Sequence, residues 1–188
     1  TAFPADACNQ AVSTISDLVA KKDVELKTGP FGTVLAASEY RDAGWPIVNP
    51  TEMKGGEIDH GDGPCVDDRT AARLTAYRLE PGDTLLARKG DFSKAVIAKE
   101  KHKGWIAGSD TIRLRSRSPN ILAGYLFLCV RAPRAERLLL SHAHGTVMPG
   151  LNESILGSVP IEQRNPEEQE RVVGIAEAQM IGLSALRS

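Results

Sequence analysis

The sequence is poor in the features that most chemistries need. Its three cysteines, Cys8, Cys65 and Cys129, are odd in number and show no Cys-x-x-Cys spacing, so neither a disulfide framework nor a zinc knuckle is indicated. A reducing cytoplasm is the expected setting. No stretch approaches the ~18 apolar residues of a membrane span, and no charged-then-apolar leader opens the chain. The longest apolar run, residues 121–130, reads as a buried helix. A net charge of −1 and a pI near 6.4 argue against a uniformly basic nucleic-acid coat. There is no phosphate-binding loop, no Ser-His-Asp elbow and no cofactor-binding Gly-rich turn, and Asn49-Pro50-Thr51 does not supply the Asn/Asp-Pro-Pro-aromatic motif of an adenine methyltransferase. No cofactor is expected. What remains is 188 residues at 41% hydrophobic content, enough for one globular core without staples.

The charge that is present is unevenly spread. Residues 39–68 hold eight acids (Glu39, Asp42, Glu52, Glu57, Asp59, Asp62, Asp67, Asp68) against Arg41 and Lys54. Residues 88–117 reverse the sign, with nine bases (Arg88, Lys89, Lys94, Lys99, Lys101, Lys103, Arg113, Arg115, Arg117) against Asp91, Glu100 and Asp110. A polyanion would be drawn to the second segment, unless these are simply solvated strand faces.

Patterning predicts strands over residues 24–27, 45–48, 84–87, 94–98, 105–107 and 111–115, with a short strand or helix leading in over 12–22. Residues 54–64, rich in Gly and Asp, read as a mobile connection. Asp67 or Asp68 caps a helix over 69–77, Ser118-Pro119 opens another that runs to residue 130, and Pro133 starts a third through residue 140. Asn165-Pro166-Glu167-Glu168 is a capping-box-like start to a last helix of roughly 33 Å at ~1.5 Å per residue. Along it Val172, Ala176, Gln179, Leu183 and Leu186 repeat at four-and-three spacing, a narrow stripe suited to a partner helix or to packing on its own domain. A chain that opens on Thr1 and closes mid-pattern at Ser188 reads as part of a longer polypeptide.

The candidate binding residues follow from this layout. Arg88, Lys89, Ser93 and Lys94 sit on a tight connection between strands, where bases and a hydroxyl can grip phosphates or reach a guanine edge. Lys27, Thr28 and Thr33 flank the turn Gly29-Pro30-Phe31-Gly32. In the segment 111–115 alternation turns Ile112 and Leu114 inward and Arg113 and Arg115 to the other face, which is solvent or phosphate. Thr146 and Asn152 can donate to phosphates or order their loop. Catalytic readings are weaker. His142 and His144 lack a third ligand at metal-like spacing. Asp42 with Glu52-Met53-Lys54 resembles a divalent-metal nuclease triad, but Pro50 and Gly55-Gly56 frame it as a surface turn.

Five signatures stand in order: Gly29-Pro30-Phe31-Gly32; Gly44-Trp45-Pro46-Ile47-Val48-Asn49; residues 79–90 (LEPGDTLLARKG); residues 145–152 (GTVMPGLN); and Val159-Pro160-Ile161 leading to Glu168-Gln169. In this order they resemble the target-recognition domain of type I restriction–modification specificity subunits, over roughly residues 24–188. The family's RxGxxGK loop usually has Gly where Ser93 stands here. The resemblance implies an α/β (α+β) fold: a twisted mixed sheet with a few helices, divided as a lead-in over 1–23, a DNA target-recognition domain over 24–162 and the start of a dimerisation or spacer helix over 163–188. It implies a non-catalytic chain that binds double-stranded DNA and directs a methyltransferase (modification) subunit and an endonuclease/translocase subunit, with no membrane. A second recognition domain would pair through the last helix, at Val172, Gln179, Leu183 and Leu186. A specificity domain fused to, or serving, an adenine-N6 methyltransferase is the alternative.

Overall fold

A computed structural model describes residues 11–91, 93–143 and 150–185, with side chains of 142–143 and 180–185 excepted. The elements run β1 (Val12–Thr14), α1 (Ile15–Ala20), β2 (Val24–Thr28), β3 (Trp45–Val48), β4 (Met53–Lys54), β5 (Glu57–Ile58), β6 (Cys65–Val66), α2 (Asp68–Arg73), β7 (Thr84–Ala87), β8 (Ala95–Ile97), β9 (Ile106–Ala107), β10 (Thr111–Ser116), α3 (Ala123–Val130), α4 (Pro133–Ala143), α5 (Glu153–Gly157), β11 (Pro160–Glu162) and α6 (Pro166–Ala185). The mixed α/β class expected from the sequence is what forms, but the strands divide among several small sheets.

The central sheet is antiparallel, in the order β2-β10-β7-β8. Helices cover one face. There Ile112, Leu114 and Leu86 pack with Ile15 and Leu18 of α1, Tyr125 and Leu126 of α3, and Leu156 of α5. The opposite face is covered too, because Leu85 and Val96 point into a second cluster with Val48, Met53, Ile58 and Leu79. Beyond it, β3 pairs antiparallel with β6 and parallel with β9. Residues 12–20, read from the sequence as a lead-in, are integral to this packing: β1 pairs with β11, and Ile15 is fully buried.

Two sequence expectations are revised. The stretch read as a mobile connection contains the β4–β5 hairpin, turned by Gly55 and Gly56 at φ 59° and 83°, with Met53 and Ile58 buried. Two residues at positive φ are what a two-residue hairpin turn of this twist requires. The helix expected from Ser118 begins at Ala123 instead. Its N-cap residue, Leu122, has no side-chain cap of its own. The Leu122 amide donates to Oε1 of Gln169 on α6 at 2.8 Å, while Gln169 Nε2 donates to the carbonyls of Asn120 and Arg164, both at 2.7 Å. Asn165 caps α6 as expected: its Oδ1 accepts from the Glu168 amide and its own amide donates to Glu168.

Candidate nucleic-acid interface

The loop carrying Arg88, Lys89, Ser93 and Lys94 joins β7 to β8. It is anchored at its base, where the Ala87 amide donates to the Lys94 carbonyl at 3.0 Å and the Arg88 amide to the Asp110 carbonyl at 2.8 Å. Within it, Asp91 Oδ1 accepts from the Ser93 hydroxyl at 2.5 Å and the Ser93 amide at 3.0 Å. The Ser93 hydroxyl is therefore engaged in ordering the loop. Those two bonds hold the Asp91 carboxyl below the usual carboxylate range.

The three cations of the loop differ in what they already hold. Lys89 pairs with Asp110 at 3.0 Å, and Lys94 Nζ donates to the Pro50 carbonyl at 3.1 Å. Arg88 has no carboxylate within ion-pair distance among the described residues. Its Nε and one terminal nitrogen reach only the Leu151 and Ser109 carbonyls, at 3.3 and 3.5 Å. Its guanidinium lies 5.7 Å from the centroid of Phe31.

Phe31 belongs to the Gly29–Gly32 signature, and its proximity to Arg88 is a long-range fact. The Gly29 amide donates to the Thr111 carbonyl at 2.9 Å, and a Cβ on Gly29 would stand 1.9 Å from the Gly108 carbonyl oxygen. A Cβ on Gly108 would in turn meet Asn49 Oδ1 at 2.1 Å. Glycine at both places lets the first two signatures dock against the segment leading into β10. Together Phe31, Tyr40, Pro50, Arg88, Lys89 and Asp110 help line a cleft of about 850 Å³.

Other candidates have partners within the fold. Lys27 lies 4.8 Å from the Tyr77 ring centroid. The Thr28 amide and hydroxyl both donate to Glu153 Oε1 at 2.7 Å, and Asn152 Oδ1 caps α5 through the Ile155 amide at 2.9 Å. Arg113 and Arg115 face neither solvent nor phosphate. They are 2% and 7% exposed, because the second face of the central sheet is covered. Arg113 donates to the Ala76 and Arg78 carbonyls and pairs with Glu25. Arg115 grips Asp83 through two 2.6 Å bonds and reaches Glu80 as well. Burial lowers the Arg113 pKa, with the charge of Arg115 adding to it. Burial opposes the charged form of Arg115 as well, but the Asp83 hydrogen bonds and charge outweigh it and raise the pKa. Burial likewise works against the Glu25 carboxylate, yet the Arg117 hydrogen bonds and the charges of Arg113, Arg117 and Arg115 hold its carboxyl below the usual range.

The basic segment is thus largely neutralised within the fold: Lys99 pairs with Glu57 at 2.7 Å, Lys103 with Glu100, and Arg117 with Glu25. Thr146, His144 and Leu186 lie outside the described residues, as do the side chains of His142 and Leu183. On α6, Val172 is buried in the domain's own core while Gln179 is exposed, so the stripe begins as internal packing. Glu52 is 6% exposed and closes its own 3₁₀ turn by accepting from the Asn49 amide at 2.9 Å, a buried cap where a surface turn was expected. Asp42 is exposed and Lys54 pairs with Asp59, so the nuclease-like triad does not assemble. Phe31 and Gln169, by contrast, were visible only as members of signatures. No local pattern marks an exposed aromatic or a cap donated across the fold.

No protein-family model matches the sequence, and no curated protein does either. Solved structures do share its fold. A chain from a structure concerned with complex assembly and conformational transition of the type I R-M system superposes with a TM-score of 0.68 at 15% identity, covering 98% of this chain and 42% of that one. The HsdS subunit from Thermoanaerobacter tengcongensis gives 0.67 at 15% identity, with coverages of 98% and 41%. The type I restriction-modification S subunit from M. genitalium gives 0.60 at 14%, with 95% and 41%. At these identities the likeness is one of fold, and the chain spans less than half the length of each neighbour.

Proposed function

We propose that the chain is a sequence-specific DNA target-recognition domain of the type I restriction–modification kind, with a non-catalytic role. The observation that carries this reading is the coincidence of a specificity-subunit fold over 98% of the chain with an anchored loop that projects Arg88, Lys89 and Lys94 beside an open cleft. Partner methyltransferase and endonuclease subunits would perform the chemistry. A second recognition domain would complete the split target, and α6 would connect or pair the two. The recognition unit proper is the part up to residue 162, with α6 as spacer.

Phosphate contacts position such a domain while a few side chains read bases, so the electrostatic part is measured through salt dependence. Replacing Arg88, Lys89 and Lys94 together with Ala is expected to weaken duplex binding and to flatten log K against log salt by about one unit of slope per lost phosphate contact. Lys89 and Lys94 already hold internal partners, which makes Arg88 the largest contributor. An unchanged slope would remove the loop from the interface. Selection from random duplexes then tests specificity: the wild type should enrich one half-site, and the failure to enrich any would count against a reader.

A further inference from the structure

The cleft beside the basic loop sets an exposed aromatic ring close to Arg88. Phe31 is 60% exposed, the most exposed large hydrophobic side chain and the sole exposed aromatic among the described residues. It is also firmly placed. The Val34 amide donates to the Phe31 carbonyl at 3.2 Å, Gly32 turns the chain at φ 61°, and Gly29 is fixed against Gly108 and Thr111. Leaving an aromatic ring in water on an anchored turn forgoes the stabilisation its burial would bring. Beside that ring stands Arg88, a guanidinium with no carboxylate partner among the described residues and only two long hydrogen bonds to carbonyls.

We propose that Phe31 and Arg88 form a stacking site for a nucleobase, a reading that rests on the DNA-recognition proposal only for the source of the base. An exposed π-face next to a planar cation is the combination on which unstacked bases are held, because every base has a π-face and the guanidinium adds cation–π attraction. The cleft, at about 850 Å³, falls within the roughly 300–1,000 Å³ range of small-ligand sites. Lys89, paired with Asp110 on the same wall, is the cation left to meet the phosphate that a nucleotide carries. The base can come from a bound duplex that releases it from the stack or from a free nucleotide, and the chemistry is the same.

The test titrates the full chain with three probes: a duplex carrying 2-aminopurine opposite an abasic site, the intact duplex of the same sequence, and adenosine 5′-monophosphate. The abasic-site duplex is expected to bind about tenfold tighter than the intact one, the scale of a single base–aromatic stack, with a rise in 2-aminopurine fluorescence as the base leaves the DNA stack. Phe31→Ala should abolish that preference and the fluorescence change, and Phe31→Trp should keep the preference. Equal binding of the two duplexes, or a preference that survives Phe31→Ala, overturns the stacking site and leaves the DNA-recognition proposal standing. Phe31-dependent binding of the monophosphate with no duplex binding keeps the stacking site and removes DNA as the source. Absence of binding to all three overturns both.

Discussion

At Gly29 one hydrogen atom stands where any other side chain would collide with backbone. A Cβ there would lie 1.9 Å from the Gly108 oxygen, and backbone yields less readily than a flexible side chain. Gly29→Ala is therefore expected to cost about 1–3 kcal/mol, the range of a forced overpacking, measured by urea denaturation. Arg115 poses the opposite problem, a charge buried with its partner. Removing it leaves Asp83, 1% exposed, without its two 2.6 Å donors. Arg115→Met should cost about 3–5 kcal/mol, and pairing it with Asp83→Asn, which removes the orphaned charge and keeps an acceptor for the Glu80 amide, should recover part of the loss. Equal instability of the double variant would show that the pair matters for more than mutual compensation. Glu25 supplies a pH dependence. Its folded-state pKa lies below its unfolded value, so its contribution is complete at neutral pH and is lost as acid carries the pH from the ordinary carboxylate range down through the folded value. Glu25→Gln should lower stability at pH 7 and flatten the acid limb of a denaturation series from about pH 7 to pH 2.

Among the elements, α3 shows most clearly which signals the sequence carries. Asp67 and Asn165 each cap the helix that follows them within a few residues, and both starts were legible because donor and acceptor are neighbours in the chain. The start of α3 was not legible. Its cap comes from Gln169, 47 residues on, so Ser118-Pro119 offered a plausible opening that the fold does not use. The same limit explains the arginines of β10. Alternation correctly separated Ile112 and Leu114 from Arg113 and Arg115, but an alternating strand says nothing about whether its second face is wet. At the site, the β7–β8 loop could be found from its bases and turn residues, whereas the approach of Phe31 depends on tertiary packing between segments some 57 residues apart. Gln169→Leu should accordingly destabilise α3 and α6 together. The loss should be about 1–3 kcal/mol for the buried groups left unpaired, with reduced amide protection near residue 122.

Across the whole molecule, most arginines and lysines of the basic segment find carboxylates, though few come from the acidic segment. Lys99 meets Glu57 there, whereas Arg113, Arg115 and Arg117 converge on Glu25, Glu80 and Asp83. A net charge of −1 is therefore compatible with an Arg88 that has no carboxylate partner among the described residues. Because the central sheet is sealed on both faces, its middle strand should be the last part to open. Hydrogen exchange of the Ile112–Leu114 amides is expected to occur only through global unfolding, whereas the β4–β5 hairpin should exchange through cheaper local openings. The pairing of β1 with β11 sets Val12 directly opposite Glu162. The polypeptide path thus arrives and departs at one spot, like a bead sharing its thread hole. Because both ends of residues 12–162 meet in one ladder, the shape of what lies between can change without moving the point from which α6 departs.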